Sequence, residues 1–202
     1  MAIRKFIGSS LSNPNTKSSK IWDGQTFSGN YDCISSVTLD SSGGGIQFAN
    51  IPQNYTHLEL RYVARCISTD STNGVMSIRI TFNSVGTNTY DYTVMKGVGN
   101  ATTVASGEIN KTNGPIVGLI AGNGIGSGYF SSGVIEILDY TNTNKNKVTR
   151  SVTGCEVSGT LSEVAIYGGL WRSTAAITTI DLAADGGGFG RYTNVALYGV
   201  KV

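Results

Sequence analysis

Two carboxylates, Glu136 and Asp139, stand in the otherwise apolar run VIEILDY, and a pair of acids flanking a sugar is the least that glycoside hydrolysis requires. A spacing of three places them on opposite faces of a strand, so they do not form that pair with each other. Each is expected instead to meet an arginine or a backbone donor. Glu156 and Glu163 are the other acids weighed for this chemistry, and neither lies in a paired arrangement. The single histidine, His57, opens the run HLELRY with no serine, cysteine or acid motif around it, so a structural role is expected rather than a general base. Three cysteines, Cys33, Cys66 and Cys155, are too dispersed for a zinc site or a disulfide framework, and free buried thiols are expected. The glycine-rich stretch 122–128 (GNGIGSG) is followed by strand residues rather than a helix N-terminus, so it reads as a flexible β-loop and not a phosphate cradle. Residues 181–188 (DLAADGGG) lack the alternating acids of a calcium loop. No catalytic residue, metal or cofactor is assigned.

Aromatic side chains are the remaining source of chemistry. The chain has ten tyrosines among many Asn, Ser and Gly residues, the set that builds adaptable recognition surfaces, and aromatic faces stack on sugars. Tyr90, Tyr92 and Tyr129 are therefore candidate ligand contacts. Trp171, in GGLWRSTAAITTI, sits among apolar strands and is expected to pack in a core or an interface.

Segments of period two must hold these side chains. Leu58, Leu60, Tyr62, Ala64 and Cys66 share one face opposite Glu59, Arg61 and Arg65, and Met76, Ile78, Ile80 and Phe82 repeat the pattern opposite Ser77, Arg79 and Thr81. The STDSTNG stretch between them reads as a hairpin connection. Further strands are expected over residues 89–94, 116–120, 133–140, 147–157, 163–171, 177–183 and 192–202, with Asn142, Asn144 and Asn146 at a hairpin tip. Residues 97–114 are weakly patterned and read as an exposed loop with one short strand near Thr103. Helical periodicity is almost absent. The expectation is an all-β, antiparallel, jelly-roll-like sandwich over residues 31–202.

Residues 1–30 differ, being rich in Ser, Asn and Lys without periodicity. They read as an extended arm for attachment, with apolar anchors at Ile3, Phe6, Ile7, Leu11, Ile21, Trp22 and Phe27 that order against a partner. The net charge of +2 is concentrated there, in Arg4, Lys5, Lys17 and Lys20 against Asp23. Elsewhere arginines are scattered, which removes the footprint of a nucleic-acid binder. No apolar run reaches the length of a membrane span or a secretory leader, so synthesis in a reducing cytoplasm is expected. Charged residues make up only 14% of the chain, well below the roughly 25% of average domains, a composition that suits surfaces packed against neighbours.

Four segments, 51–65 (IPQNYTHLELRYVAR), 134–140 (VIEILDY), 168–182 (GGLWRSTAAITTIDL) and 197–201 (LYGVK), resemble virion structural proteins of tailed phages, those of marine and cyanobacterial phages in particular. The resemblance runs over residues 46–202 and omits the arm. It implies a jelly-roll-type domain on the surface of a phage particle, non-enzymatic, serving as a head decoration or cement or as a tail attachment protein. Its partners would be other virion proteins of the capsid or tail and further copies of itself, a trimer if it occupies a local threefold. The alternative the resemblance leaves open is a tail-fibre-type adhesin that recognises host-surface polysaccharide.

Overall fold

The computed structural model describes residues 30–68, 74–99, 103–156 and 162–201. The arm and its anchors Ile3, Phe6, Ile7, Leu11, Ile21, Trp22 and Phe27 lie outside them. The strands are β1 (Tyr31–Thr38), β2 (Ile46–Phe48), β3 (His57–Ala64), β4 (Val75–Phe82), β5 (Tyr90–Val98), β6 (Val104–Lys111), β7 (Ile116–Ala121), β8 (Ser131–Leu138), β9 (Lys147–Cys155), β10 (Glu163–Trp171), β11 (Ile180–Ala184) and β12 (Asn194–Val200). One turn of 3-10 helix, Asn123–Ile125, interrupts them. No helix among the described residues is long and apolar enough to cross a membrane.

The strands form two antiparallel sheets, an eight-stranded one ordered β1-β12-β3-β8-β9-β10-β5-β6 and a four-stranded one ordered β2-β11-β4-β7. Leaving out β5, β6, β9 and β10 and renumbering the remaining eight strands in chain order, the two sheets read 1-8-3-6 and 2-7-4-5, which is the double Greek key of a jelly roll. The four additional strands extend the larger sheet beyond β8. Because β3 pairs with β12 and β8 while β4 pairs with β11 and β7, the STDSTNG stretch joins two sheets and is not a hairpin connection. Identical alternation in both strands is compatible with either arrangement, and only the sheet order separates them.

The main core lies between the sheets and includes Leu58, Leu60, Tyr62, Ile78, Ile80, Phe82, Ile135, Ile137, Leu182 and Leu197. Trp171 closes one end of it, its ring 5.5 Å from that of Phe82 and stacked at 6.1 Å on that of Tyr90. A second apolar cluster joins Tyr92 and Val94 of β5 and Ala165 and Tyr167 of β10 to Leu119 and Ala121 of β7. β7 therefore packs on both faces, and its continuous apolar run, IVGLIA, follows from that. The larger sheet curls around the edge of β7, with β8 on one side, β9 facing the edge and β10 and β5 on the other.

Curling brings hydroxyls to the unpaired backbone of β7. Ser151 Oγ donates to the Val117 carbonyl at 2.6 Å, the Leu119 amide donates to Thr153 Oγ1 at 3.2 Å, and Tyr62 Oη donates to the Leu119 carbonyl at 3.1 Å. Side chains of the facing sheet thus close an edge that would otherwise be open to strand addition. Gly118 and Gly133 make room for the tyrosine, since a Cβ on either would stand within 2.6 Å of its ring or hydroxyl.

β6 replaces the expected loop over residues 97–114. It is a full eight-residue strand at the sheet edge, exposed along nearly its whole length, with Ile109 72% exposed. With neither face buried, it has no reason to alternate.

Candidate ligand cleft

Where β5, β6 and β10 overhang the outer face of β4 and β7, they leave a half-enclosed cleft of about 340 Å³. Val75, Ile116, Leu119 and Val94 line it with apolar surface, while Ser77, Ser106, Lys96, Glu163, Tyr92 and Tyr167 supply polar groups. Strand alternation explains the set: Lys96, Val94 and Tyr92 share the inward face of β5, and Ala165 and Tyr167 that of β10. Val94 is in register with Ser106 of β6 on one side and Tyr167 of β10 on the other.

Charges at the cleft are paired off. Lys96 Nζ donates to both carboxylate oxygens of Glu163, at 3.1 and 2.9 Å. Tyr92 Oη donates to Glu108 Oε1 at 2.8 Å, and Glu108 is also ion-paired with Lys111. The Lys111 bond, followed by that of Tyr92, holds the Glu108 carboxyl below the usual carboxylate range. Burial, reinforced by the bond to Glu108, pushes the Tyr92 phenol up to about 12. Burial also raises the Tyr167 phenol, which is 4% exposed and has no hydrogen-bond partner among the described residues.

Of the three candidate tyrosines, Tyr92 alone lines this cleft. Tyr90 is wholly buried in the main core, its hydroxyl accepting from the Phe82 amide at 3.0 Å and donating to the Val85 carbonyl at 3.0 Å, which leaves it no surface for a ligand. Tyr129 is half-buried against the second apolar cluster.

The acids weighed for catalysis are dispersed. Glu136 is ion-paired with Arg150 on the outer face of the larger sheet, and Asp139, just past β8, meets Lys145 Nζ at 2.7 Å. His57 Nδ1 accepts the Asp139 amide at 2.9 Å and so pins that turn. Glu156 is exposed after the end of β9, and Glu163 is engaged by Lys96. No group of three or more His, Cys, Asp or Glu lies together among the described residues. Cys66 and Cys155 are buried, but Cys33 is exposed, because it points outward from the edge strand β1.

The glycine-rich stretch 122–128 is a loop pinned from below. Arg65, largely buried, donates to the carbonyls of Ser127 at 3.0 Å and Gly126 at 3.1 Å and to Asn123 Oδ1 at 2.8 Å. Sequence reading missed Lys96, Ser106 and Tyr167 as site residues. Tyr167 carried a usable signal, for it faces inward between the small residues Ala165 and Gly169, where a phenol has few neighbours to bond.

The opposite, outward face of the larger sheet carries an apolar patch. Register aligns Val134 of β8, Val152 of β9, Ile166 of β10 and Met95 of β5 in one row across four strands, with Val63 and Val164 beside it. Val152, Val164, Ile166 and Met95 are each more than half exposed, at 57%, 56%, 51% and 56%. Ser132 and Gly154 leave a shallow depression between Val63, Val134, Val152 and Val164. Arg150 is ion-paired with Glu136, and Arg61 with Glu59 at 2.7 Å, so each of these bordering arginines is neutralised by a carboxylate.

No protein-family model, curated protein or solved structure matches the chain.

Proposed function

We propose that the chain is a non-enzymatic structural subunit of a tailed-phage particle, a head decoration or tail attachment protein that associates with further copies of itself through the outward face of its larger sheet. The observation carrying this reading is the apolar row Val134, Val152, Ile166 and Met95, exposed in register across neighbouring strands. Contiguous apolar patches of this kind are uncommon on monomers and mark interaction surfaces. A second copy is the fitting occupant, because the bordering arginines are already neutralised within the chain and two such faces meet without like-charge repulsion. Jelly-roll topology and the resemblance of segments 51–65, 134–140, 168–182 and 197–201 to phage virion proteins support the location.

The test combines assembly in solution with particle composition. Sedimentation should give an oligomer for the full chain, and Val152→Arg with Ile166→Arg should give a folded monomer. Mass spectrometry of purified particles should find the wild-type chain in them, while a chain lacking residues 2–30 should stay folded but be left behind. A monomeric wild-type chain, or its absence from particles, overturns the reading.

A further inference from the structure

We propose that the cleft beneath β5, β6 and β10 binds a neutral saccharide unit, with Tyr167, Ser106, Ser77 and Lys96 as its hydrogen-bonding groups. The unpartnered phenol of Tyr167 is the leading observation. Its side chain is 4% exposed and lines the cleft, its hydroxyl has no partner among the described residues, and that oxygen is not one of the fully enclosed unpartnered atoms, so it is open to a ligand hydroxyl in the cleft. Within the same cavity the hydroxyls of Ser77 and Ser106 also lack partners among the described residues, and Lys96, with two of its three hydrogens on Glu163, has one left to donate. Several unused donors and acceptors thus converge on one space.

The chemistry of the lining selects the ligand class. Val75, Val94, Ile116 and Leu119 offer apolar surface beside the hydroxyls, which suits a molecule with both C–H faces and hydroxyl edges. The nearby charges cancel in pairs, Lys96 with Glu163 and Lys111 with Glu108, so no net charge attracts an anion or a cation. A volume of about 340 Å³ lies at the small end of ligand pockets and admits roughly one or two pyranose rings. A neutral sugar meets all three conditions. This site does not depend on the assembly reading, and each can fail while the other stands.

The experiment is saturation-transfer NMR followed by calorimetry on the full chain. The probes are glucose, galactose, mannose, N-acetylglucosamine and their common disaccharides, with glucuronate and N-acetylneuraminate as charged counterparts. At least one neutral sugar should bind, and Tyr167→Phe should weaken it about five- to tenfold, the worth of one hydrogen bond, without lowering the thermal midpoint. Ser106→Tyr, placed on an exposed edge strand where folding tolerates it, should abolish binding by filling the mouth. Absence of binding by every neutral sugar, binding of the charged sugars alone, or unchanged affinity in both variants overturns the proposal.

Discussion

Tyr62 Oη lies 2.5 Å from Thr153 Oγ1, and through this contact β3 and β9 of one sheet jointly hold the edge strand of the other. Both hydroxyls also reach the Leu119 backbone. Thr153→Val keeps the shape but leaves the Leu119 amide without its acceptor, so it should cost about 1–3 kcal/mol in urea unfolding. Tyr62→Phe should cost a similar amount, and the double variant less than the two together, since they share partners. Additive losses would mean that the two hydroxyls act separately.

Close packing around the same ring makes a second prediction. A Cβ on Gly133 would sit 2.6 Å from the Tyr62 ring, so Gly133→Ala should destabilise by about 1–3 kcal/mol through overpacking. In a Tyr62→Val background the obstruction is gone and the penalty should fall below half. Thermal unfolding of the four proteins decides it, and an equal penalty in both backgrounds would place the strain elsewhere.

Arg65 should govern the order of the 122–128 loop. Arg65→Met removes three charge-assisted bonds to it, and hydrogen exchange of the loop amides should speed up by about tenfold or more. Arg65→Lys should recover little, because a point charge does not reproduce the guanidinium fork. Exchange unchanged from wild type in Arg65→Met would show that the loop is held by other contacts.

Alkali should unfold the protein before its phenols titrate freely. Tyr62 and Tyr92 are both pushed up to about 12, each chiefly by burial, from an ordinary 10. A raised folded-state value means that the stabilisation is complete below pH 10 and is lost as the pH climbs from 10 through 12. The denaturant midpoint should therefore fall across that window, with tyrosinate absorbance rising together with unfolding. A midpoint flat from pH 9 to 12 would contradict it.

How far the sequence could be read depended on whether a strand had one buried face. β10 was legible with its bounds, because EVAIYGGLW alternates against a core on one side and solvent on the other. β6 was not, since nothing covers either face, and hydrophobic periodicity records only differences in burial. The tyrosines show a different limit. Tyr90 and Tyr92 share a face of β5, but the strand runs from the main core into the second cluster between them, so one is sealed and the other borders a cleft. Alternation assigns a side and is silent about what lies above it. The carboxylates were simpler, because their separation along VIEILDY already denied Glu136 and Asp139 a shared face.

Among the described residues β1 is hydrogen-bonded to β12 and to no other strand, with Tyr31 opposite Val200. Ribosomal synthesis delivers these two partners at opposite extremes of the described chain. Strand one must therefore wait, unmatched, while everything between is translated, and joining it to its mate closes a very long loop. Completion of this sheet waits on the synthesis of β12, and until then the nascent protein carries an open seam that a chaperone or a sister chain can occupy.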